Sequence, residues 1–87
     1  MSMQKIQNVE VLNDFKIREA IAQGYFDEST LPVIVCIEPM QTADFIEVDK
    51  IGYLRINQIL WKVEKYRSFV DSQTSLSYYE FTLSKVQ

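Results

Sequence analysis

The chain of 87 residues contains no histidine, and this absence excludes more than any other feature of its composition. Histidine is the commonest general base in enzymes and the commonest metal ligand in proteins. With only one cysteine besides, the chain lacks the ligands of a structural zinc site and the residues of Ser-His-Asp or Cys-His catalysis. We therefore expect no metal, no cofactor and no enzymatic activity.

Glycine and cysteine are also scarce. The two glycines, Gly24 and Gly52, are too few and too far apart for a glycine-rich phosphate loop. The single cysteine, Cys36, lies within the apolar run Val33–Ile37, and we expect it to be a small buried core residue. Because no internal disulfide is available, so small a domain fits a reducing compartment or an assembly that stabilises it from outside.

Long apolar segments are absent too. The run Val33–Ile37 is far shorter than the roughly 18 residues of a membrane span. Residues 1–12 show no apolar core of a signal peptide, so none is expected. A composition with 47% hydrophobic and 13% aromatic residues indicates a single globular domain over residues 1–87.

The first third of the chain predicts an arm and a helix. Residues 1–12 alternate imperfectly and predict an extended arm or an edge strand. Within Asn13–Phe26, an N-cap residue at Asn13 or Asp14 precedes apolar residues at three-to-four spacing, which predicts a helix of about ten residues. Gly24 is placed where a left-handed C-cap would end that helix.

The remainder predicts short strands, because β-branched and aromatic runs alternate with turn residues. The runs are LPVIVCIEP, DFIEV, GYLRI, ILWKVEKY and LSYYEFTL. We expect one inward-facing wall formed by Ile59, Trp61, Val63, Tyr79, Phe81 and Leu83. The predicted fold class is α+β: one short N-terminal helix packed on a four- to five-stranded antiparallel meander, with closure into a small β-barrel left open as an alternative.

Charge is distributed unevenly along the chain, whose net charge is −3. From Glu10 to Asp49 there are nine acidic and two basic residues, whereas from Lys50 to Arg67 there are five basic and one acidic. One interpretation is complementary docking of unlike surfaces, and the other is an ordinary solvated surface. The acidic pI of about 4.8 argues against nucleic-acid binding.

The candidate site is a protein interface. No carboxylate pair stands out for acid–base chemistry, and no base is at hand to activate a serine. Tyr78 and Tyr79 must face opposite sides of a strand, and if Tyr79 is in the core, Tyr78 is outward and suited to an interface. The candidate interface residues are Arg55, Lys62, Lys65, Arg67, Phe69 and Tyr78.

The segment GYLRINQILWKVEKYRSF, followed by a polar loop and the closing strand YYEFTLSKV, resembles small head–tail connector proteins of tailed bacteriophages. These are of the stopper or head-closure type, small β-barrel proteins that ring the portal exit. Ile56, Asn57, Trp61 and Val63 occupy positions of the family's hairpin pattern, while Gln58 stands where glycine is usual. The resemblance covers the C-terminal half only.

The resemblance implies a non-enzymatic virion protein, made in the host cytoplasm, that forms a ring of copies in the neck of a phage or prophage particle. Its partners would be other copies of itself and neighbouring virion proteins, with nucleic acid only as channel cargo, no small-molecule substrate and no membrane. The loop Ser68–Ser75 would contact the next ring or line the channel. The alternative is a small acidic inhibitor that blocks a host protein through the acidic stretch Asp27–Asp49.

Overall fold

The computed structural model describes residues 3–14, 17–38, 47–75 and 77–86. The strands in this part are β1 (Gln4–Leu12), β2 (Arg18–Asp27), β3 (Val33–Ile37), β4 (Tyr53–Ile56), β5 (Ile59–Val70) and β6 (Ser77–Lys85). All of their pairings are antiparallel, and the strands close into a barrel in the order β1-β2-β3-β6-β5-β4. A 3-10 turn, Val48–Lys50, precedes β4.

The predicted helix over Asn13–Phe26 is wrong, and with it the α+β fold class. This segment enters strand β2 at Arg18, and no α-helix occurs in the described part of the chain. Its apolar residues satisfy a period of two as well as a helical period, since every second residue from Ala20 to Phe26 is buried. Pairing with β1 and β3 decides between the two periods, because strand preference depends on the neighbouring strands. The described fold is an all-β barrel.

Gly24 lies inside β2 and is not a helix C-cap. A Cβ atom built there would lie 1.8 Å from the carbonyl oxygen of Cys36 on β3. A glycine in a strand often marks such a close approach of two backbones. Gly24 is therefore required by the contact between β2 and β3.

Strands β3, β4, β5 and β6 occupy segments in which alternation predicts strands. Strand β1 lies within the segment predicted as an arm or edge strand, but it is neither, because it pairs with β2 on one side and with β4 on the other. The run DFIEV forms no described strand, because Val48 begins the 3-10 turn while residues 44–46, like Pro39, lie outside the described residues. Ser68–Val70 belong to β5 instead of the predicted loop. The described connection between β5 and β6 therefore begins at Asp71.

The barrel interior contains most of the predicted wall. Trp61, Phe81 and Leu83 are buried in the core, and Val63 and Tyr79 pack against it. Ile59 is 42% exposed, which corrects its predicted place, because it directly follows the turn at one end of the barrel.

Strand β4 is much shorter than the two strands on either side of it. It has four residues, whereas β1 has nine and β5 has twelve. The ladder between β4 and β5 ends at the pair Tyr53 and Lys62, and the last bond beyond it joins the Val63 N–H to the carbonyl oxygen of Gly52 at 2.9 Å. Beyond that point β5 pairs only with β6 among the described residues.

The turn between β4 and β5 has two residues, Asn57 and Gln58, both in the left-handed region with φ of 52° and 69°. Positive φ at both central positions defines the primed turn that matches the twist of a hairpin. Asparagine tolerates this conformation, whereas glutamine is strained there. The two-residue primed turn is therefore formed despite Gln58.

Candidate protein interface

The outer face of strands β2, β3, β6 and β5 presents side chains in three rows, because alternate residues of a strand point to the same side. Residues paired across the ladders share a row. Glu38 extends β3 by one position, since its N–H donates to the carbonyl oxygen of Gln23 at 3.0 Å. The upper row holds Gln23, Glu38, Tyr78 and Phe69, the middle row Tyr25, Cys36, Glu80 and Arg67, and the lower row Asp27, Ile34, Thr82 and Lys65.

Three aromatic side chains, Tyr25, Phe69 and Tyr78, lie together in the upper and middle rows, and we call them the aromatic patch. The rings of Phe69 and Tyr78 stack with centroids 5.7 Å apart and planes inclined by 25°. The guanidinium of Arg67 lies 5.2 Å from the centroid of the Phe69 ring. These rings are half-buried although they lie outside the barrel core.

The aromatic patch borders a shallow hollow of about 300 Å³, which we call the aromatic hollow. Its remaining lining comes from the start of β1, from β3 and from the connection after β5. In that connection the Asp71 carboxylate accepts the Gln73 N–H at 2.8 Å, and the Ser75 N–H donates to the Asp71 carbonyl oxygen at 2.8 Å. The lining residues are Met3, Tyr25, Cys36, Phe69, Asp71, Thr74 and Tyr78.

An ion pair between Arg67 and Glu80 fixes the position of the Arg67 side chain in the middle row. The Arg67 guanidinium donates to both carboxylate oxygens of Glu80, at 2.8 and 3.3 Å. This contact raises the pKa of Arg67, so its charge is permanent. Two-point geometry also fixes the direction of the guanidinium. Arg67 is thereby held between Glu80 and the Phe69 ring.

Cys36 is a half-buried residue of the middle row, not a core residue as the sequence suggested. Burial, followed by the charge of Glu80, raises the pKa of its thiol. A thiol with a raised pKa is protonated at neutral pH and is a poor nucleophile. Cys36 therefore contributes apolar surface to the aromatic hollow.

Tyr78 faces outward and Tyr79 packs against the core, as strand alternation predicts. Partial burial raises the pKa of Tyr78, and the nearby Tyr25, Glu38 and Asp71 raise it further. The phenol is therefore neutral at physiological pH. It presents a flat apolar ring with a polar edge, which is the kind of side chain enriched in protein interfaces.

No group of three or more His, Cys, Asp or Glu side chains that could hold a metal ion occurs among the described residues. Two surface carboxylates have partners within the chain: Glu47 pairs with Lys50 at 3.0 Å, and Asp27 accepts from the N–H of Ser29 at 3.0 Å. In the same ranges, no helix is long and apolar enough to cross a membrane.

The structure brings together four of the six predicted interface residues. Phe69 contacts both Arg67 and Tyr78, and Lys65 lies in the lower row of the same face. Lys62 lies nearer the start of β5, where it pairs with Ser84 of β6 on one side and with Tyr53 of β4 on the other.

Arg55 is separate from the other predicted interface residues. It lies on β4, where its guanidinium donates to a carboxylate oxygen of Glu10 at 2.8 Å. Arg55 is therefore separated from the aromatic patch, and its charge is matched by Glu10 within the chain.

Sequence reasoning missed the contributions of β2 and β3, namely Tyr25, Cys36 and Glu38. The signal for Tyr25 was present, since Tyr25 and Asp27 alternate with the buried Phe26. The prediction of a helix over that segment concealed this alternation. Comparison of the chain with protein-family models, curated proteins and solved structures found no match.

Proposed function

We propose that this protein is a non-enzymatic structural subunit that acts by docking to copies of itself, as a ring in the neck of a phage or prophage particle. The observation that carries the proposal is the aromatic patch. Half-buried rings of Tyr25, Phe69 and Tyr78 lie on the outer face, where the barrel core does not require them. Such clusters, rimmed by charged groups, are typical of protein interaction sites.

The two sides of the barrel differ, which favours contacts between unlike faces. One side carries the aromatic patch with Glu38 and Glu80, and the other carries β4 with the pair Arg55–Glu10. Contacts between unlike faces generate closed rings when the rotation per copy divides a full turn. The resemblance of the C-terminal half to phage connectors supports the same arrangement and a place in the virion.

The first experiment measures self-association of the purified protein by size-exclusion chromatography with light scattering, and the shape of the particles by negative-stain electron microscopy. We expect rings that form as concentration rises. Phe69→Ser and Tyr78→Ser should each shift the equilibrium towards folded monomer. Ile59→Ser is the matched control, because Ile59 is an exposed apolar residue outside the patch.

A protein that stays monomeric at high concentration would overturn the ring. If that monomer captures one host protein with one-to-one stoichiometry, the inhibitor alternative replaces it. If the Ile59→Ser control weakens assembly as much as the patch variants do, the aromatic patch is not the contact.

A further inference from the structure

We propose that the aromatic hollow is a cation-binding site that receives a lysine side chain of β5 from a second copy. This inference rests on the proposed self-association and locates one half of the contact. The three aromatic residues border the hollow, and aromatic faces attract ammonium and guanidinium groups. Aromatic cages of this kind are a common way to recognise cations.

Carboxylates surround the rings. Asp71 lines the hollow, Glu38 lies across from Tyr78 in the upper row, and Glu80 lies in the middle row. Two cations lie in or beside the middle row: Arg67, which is paired with Glu80, and Lys5 of β1, which lies across from Tyr25. Three carboxylates against these two cations leave the surface with one excess negative charge.

Glu38, which lies beside the aromatic patch and outside the lining of the hollow, adds a second reason to expect a cation next to the rings. Its Oε2 atom is buried and has no hydrogen-bond partner among the described residues. A buried carboxylate oxygen without a partner is costly unless a cation or a donor reaches it. An incoming ammonium group, with three N–H donors, can contact a carboxylate and an aromatic face together.

Strand β5 of the second copy is the best source of the cation. In the described part of the chain, Lys50, Arg55 and Arg67 form ion pairs, and the Lys85 ammonium lies 5.9 Å from the centroid of the Trp61 ring. Lys62 and Lys65 are exposed and form no ion pair there; Lys62 lies outside the three rows, whereas Lys65 lies in the lower row. One such lysine matches the excess negative charge around the aromatic hollow. Arg18, also exposed and without an ion pair in this part, lies at the opposite end of β2 from Tyr25 and serves as the control.

The first test probes the hollow without relying on assembly. Nα-acetyl-lysine methylamide is titrated into the protein, and the ring resonances of Tyr25, Phe69 and Tyr78 are followed by NMR. The matched control is the norleucine analogue, which has a similar apolar chain and no charge. We expect saturable shifts with the lysine derivative only. Equal shifts with both compounds, or none with either, would overturn the cation site.

The second test removes charge while keeping shape. Glu38→Gln and Asp71→Asn should each weaken both lysine binding and self-association, and the Asn side chain can still accept the Gln73 N–H. Asp49→Asn is the control, since Asp49 is an exposed acid in the 3-10 turn. We expect self-association to weaken by about tenfold in each hollow variant, the order of one charge-assisted contact. Retained circular dichroism shows that a variant is folded.

The third test concerns the donor. Lys62→Glu and Lys65→Glu are compared with Arg18→Glu, and at least one of the β5 variants should lose self-association while Arg18→Glu retains it. Rings that persist in both β5 variants would overturn this inference and leave the proposed function standing. A monomeric wild type would overturn the second copy as donor and the proposed function together.

Discussion

The two long hairpins of the barrel divide the interior unequally. The β1–β2 hairpin, Gln4–Asp27, sends small residues inward from β2, among them Ala20, Ala22 and Gly24. The β5–β6 hairpin, Ile59–Lys85, sends in the large side chains of Trp61 and Phe81. The β5–β6 hairpin supplies large inward side chains, and the small residues of the β1–β2 hairpin leave space for them.

This difference shows how six strands enclose a filled interior. Small barrels alternate large and small inward residues so that the layers interdigitate. Phe26, at the end of β2, meets Trp61 edge to face with centroids 5.8 Å apart and planes inclined by 70°. The small residues that precede Phe26 are therefore as necessary to the core as the aromatics opposite them.

The largest expected effect comes from removing bulk. Trp61→Ala should lower the free energy of unfolding by about 3–5 kcal/mol, because it leaves a cavity that the strands cannot close. Trp61→Phe should cost much less, since the indole N–H has no hydrogen-bond partner among the described residues. Urea denaturation followed by circular dichroism measures both. Equal losses would mean that a polar contact of the indole, not its volume, stabilises the core.

The second-largest effect is expected from enlarging one of the small inward residues of β2. Gly24→Ala should cost about 2–3 kcal/mol, because the new Cβ would collide with the carbonyl oxygen of Cys36. Gly52→Ala is the control, since its Cβ would lie 3.4 Å from the nearest atom, the carbonyl oxygen of Asn13. The same denaturation experiment applies. A Gly24→Ala protein as stable as wild type would show that β2 and β3 are further apart.

A smaller effect of opposite sign is expected at the turns. Gln58→Gly should raise the free energy of unfolding by about 1 kcal/mol, because glycine adopts positive φ without strain. Asn8→Gly, at φ 59° in the irregular part of β1, should change stability less, because asparagine already tolerates that region. Thermal and urea denaturation compare the two. A larger gain at Asn8 would reverse the expected ranking of strain.

The smallest effect concerns Asp27, the last residue of β2. Hydrogen bonds from the Ser29 side chain and backbone lower the pKa of Asp27. A group with a depressed folded-state pKa stabilises the fold above its unfolded-state pKa, and this contribution is lost as pH falls through the folded value. Ser29→Ala should therefore raise the Asp27 pKa, as measured by NMR titration of its carboxyl carbon. An unchanged titration would show that the hydroxyl does not contribute.

The same contrast between hairpins explains which parts of the fold were predictable. In the β5–β6 hairpin, alternation of large apolar and polar residues is unambiguous, so its strands and most of its inward wall follow from sequence. In β2, alanine and glycine carry little preference for a strand, and their spacing also fits a helix. Only pairing with β1 and β3, which no local pattern specifies, selects the strand.

The candidate interface also has a part that could be predicted from the sequence and a part that could not. Arg67, Phe69 and Tyr78 belong to one hairpin, where cross-strand pairing places them side by side. Tyr25 and Cys36 join them only because β3 pairs with β6, a contact between segments distant in sequence. The acidic complement to the basic residues of β5 could therefore not be located before the barrel order was known.

The brevity of β4 has a consequence for the protein in concentrated solution. It leaves the stretch Glu64–Val70 of β5 with one side open among the described residues, and an open strand is a template on which foreign strands can deposit. Glu64, Lys65 and Arg67 place three charges within these seven positions, and charges in such a strand oppose fibrillar deposition. Replacing all three by neutral residues should make the protein aggregate more readily, as measured by light scattering, without altering its core.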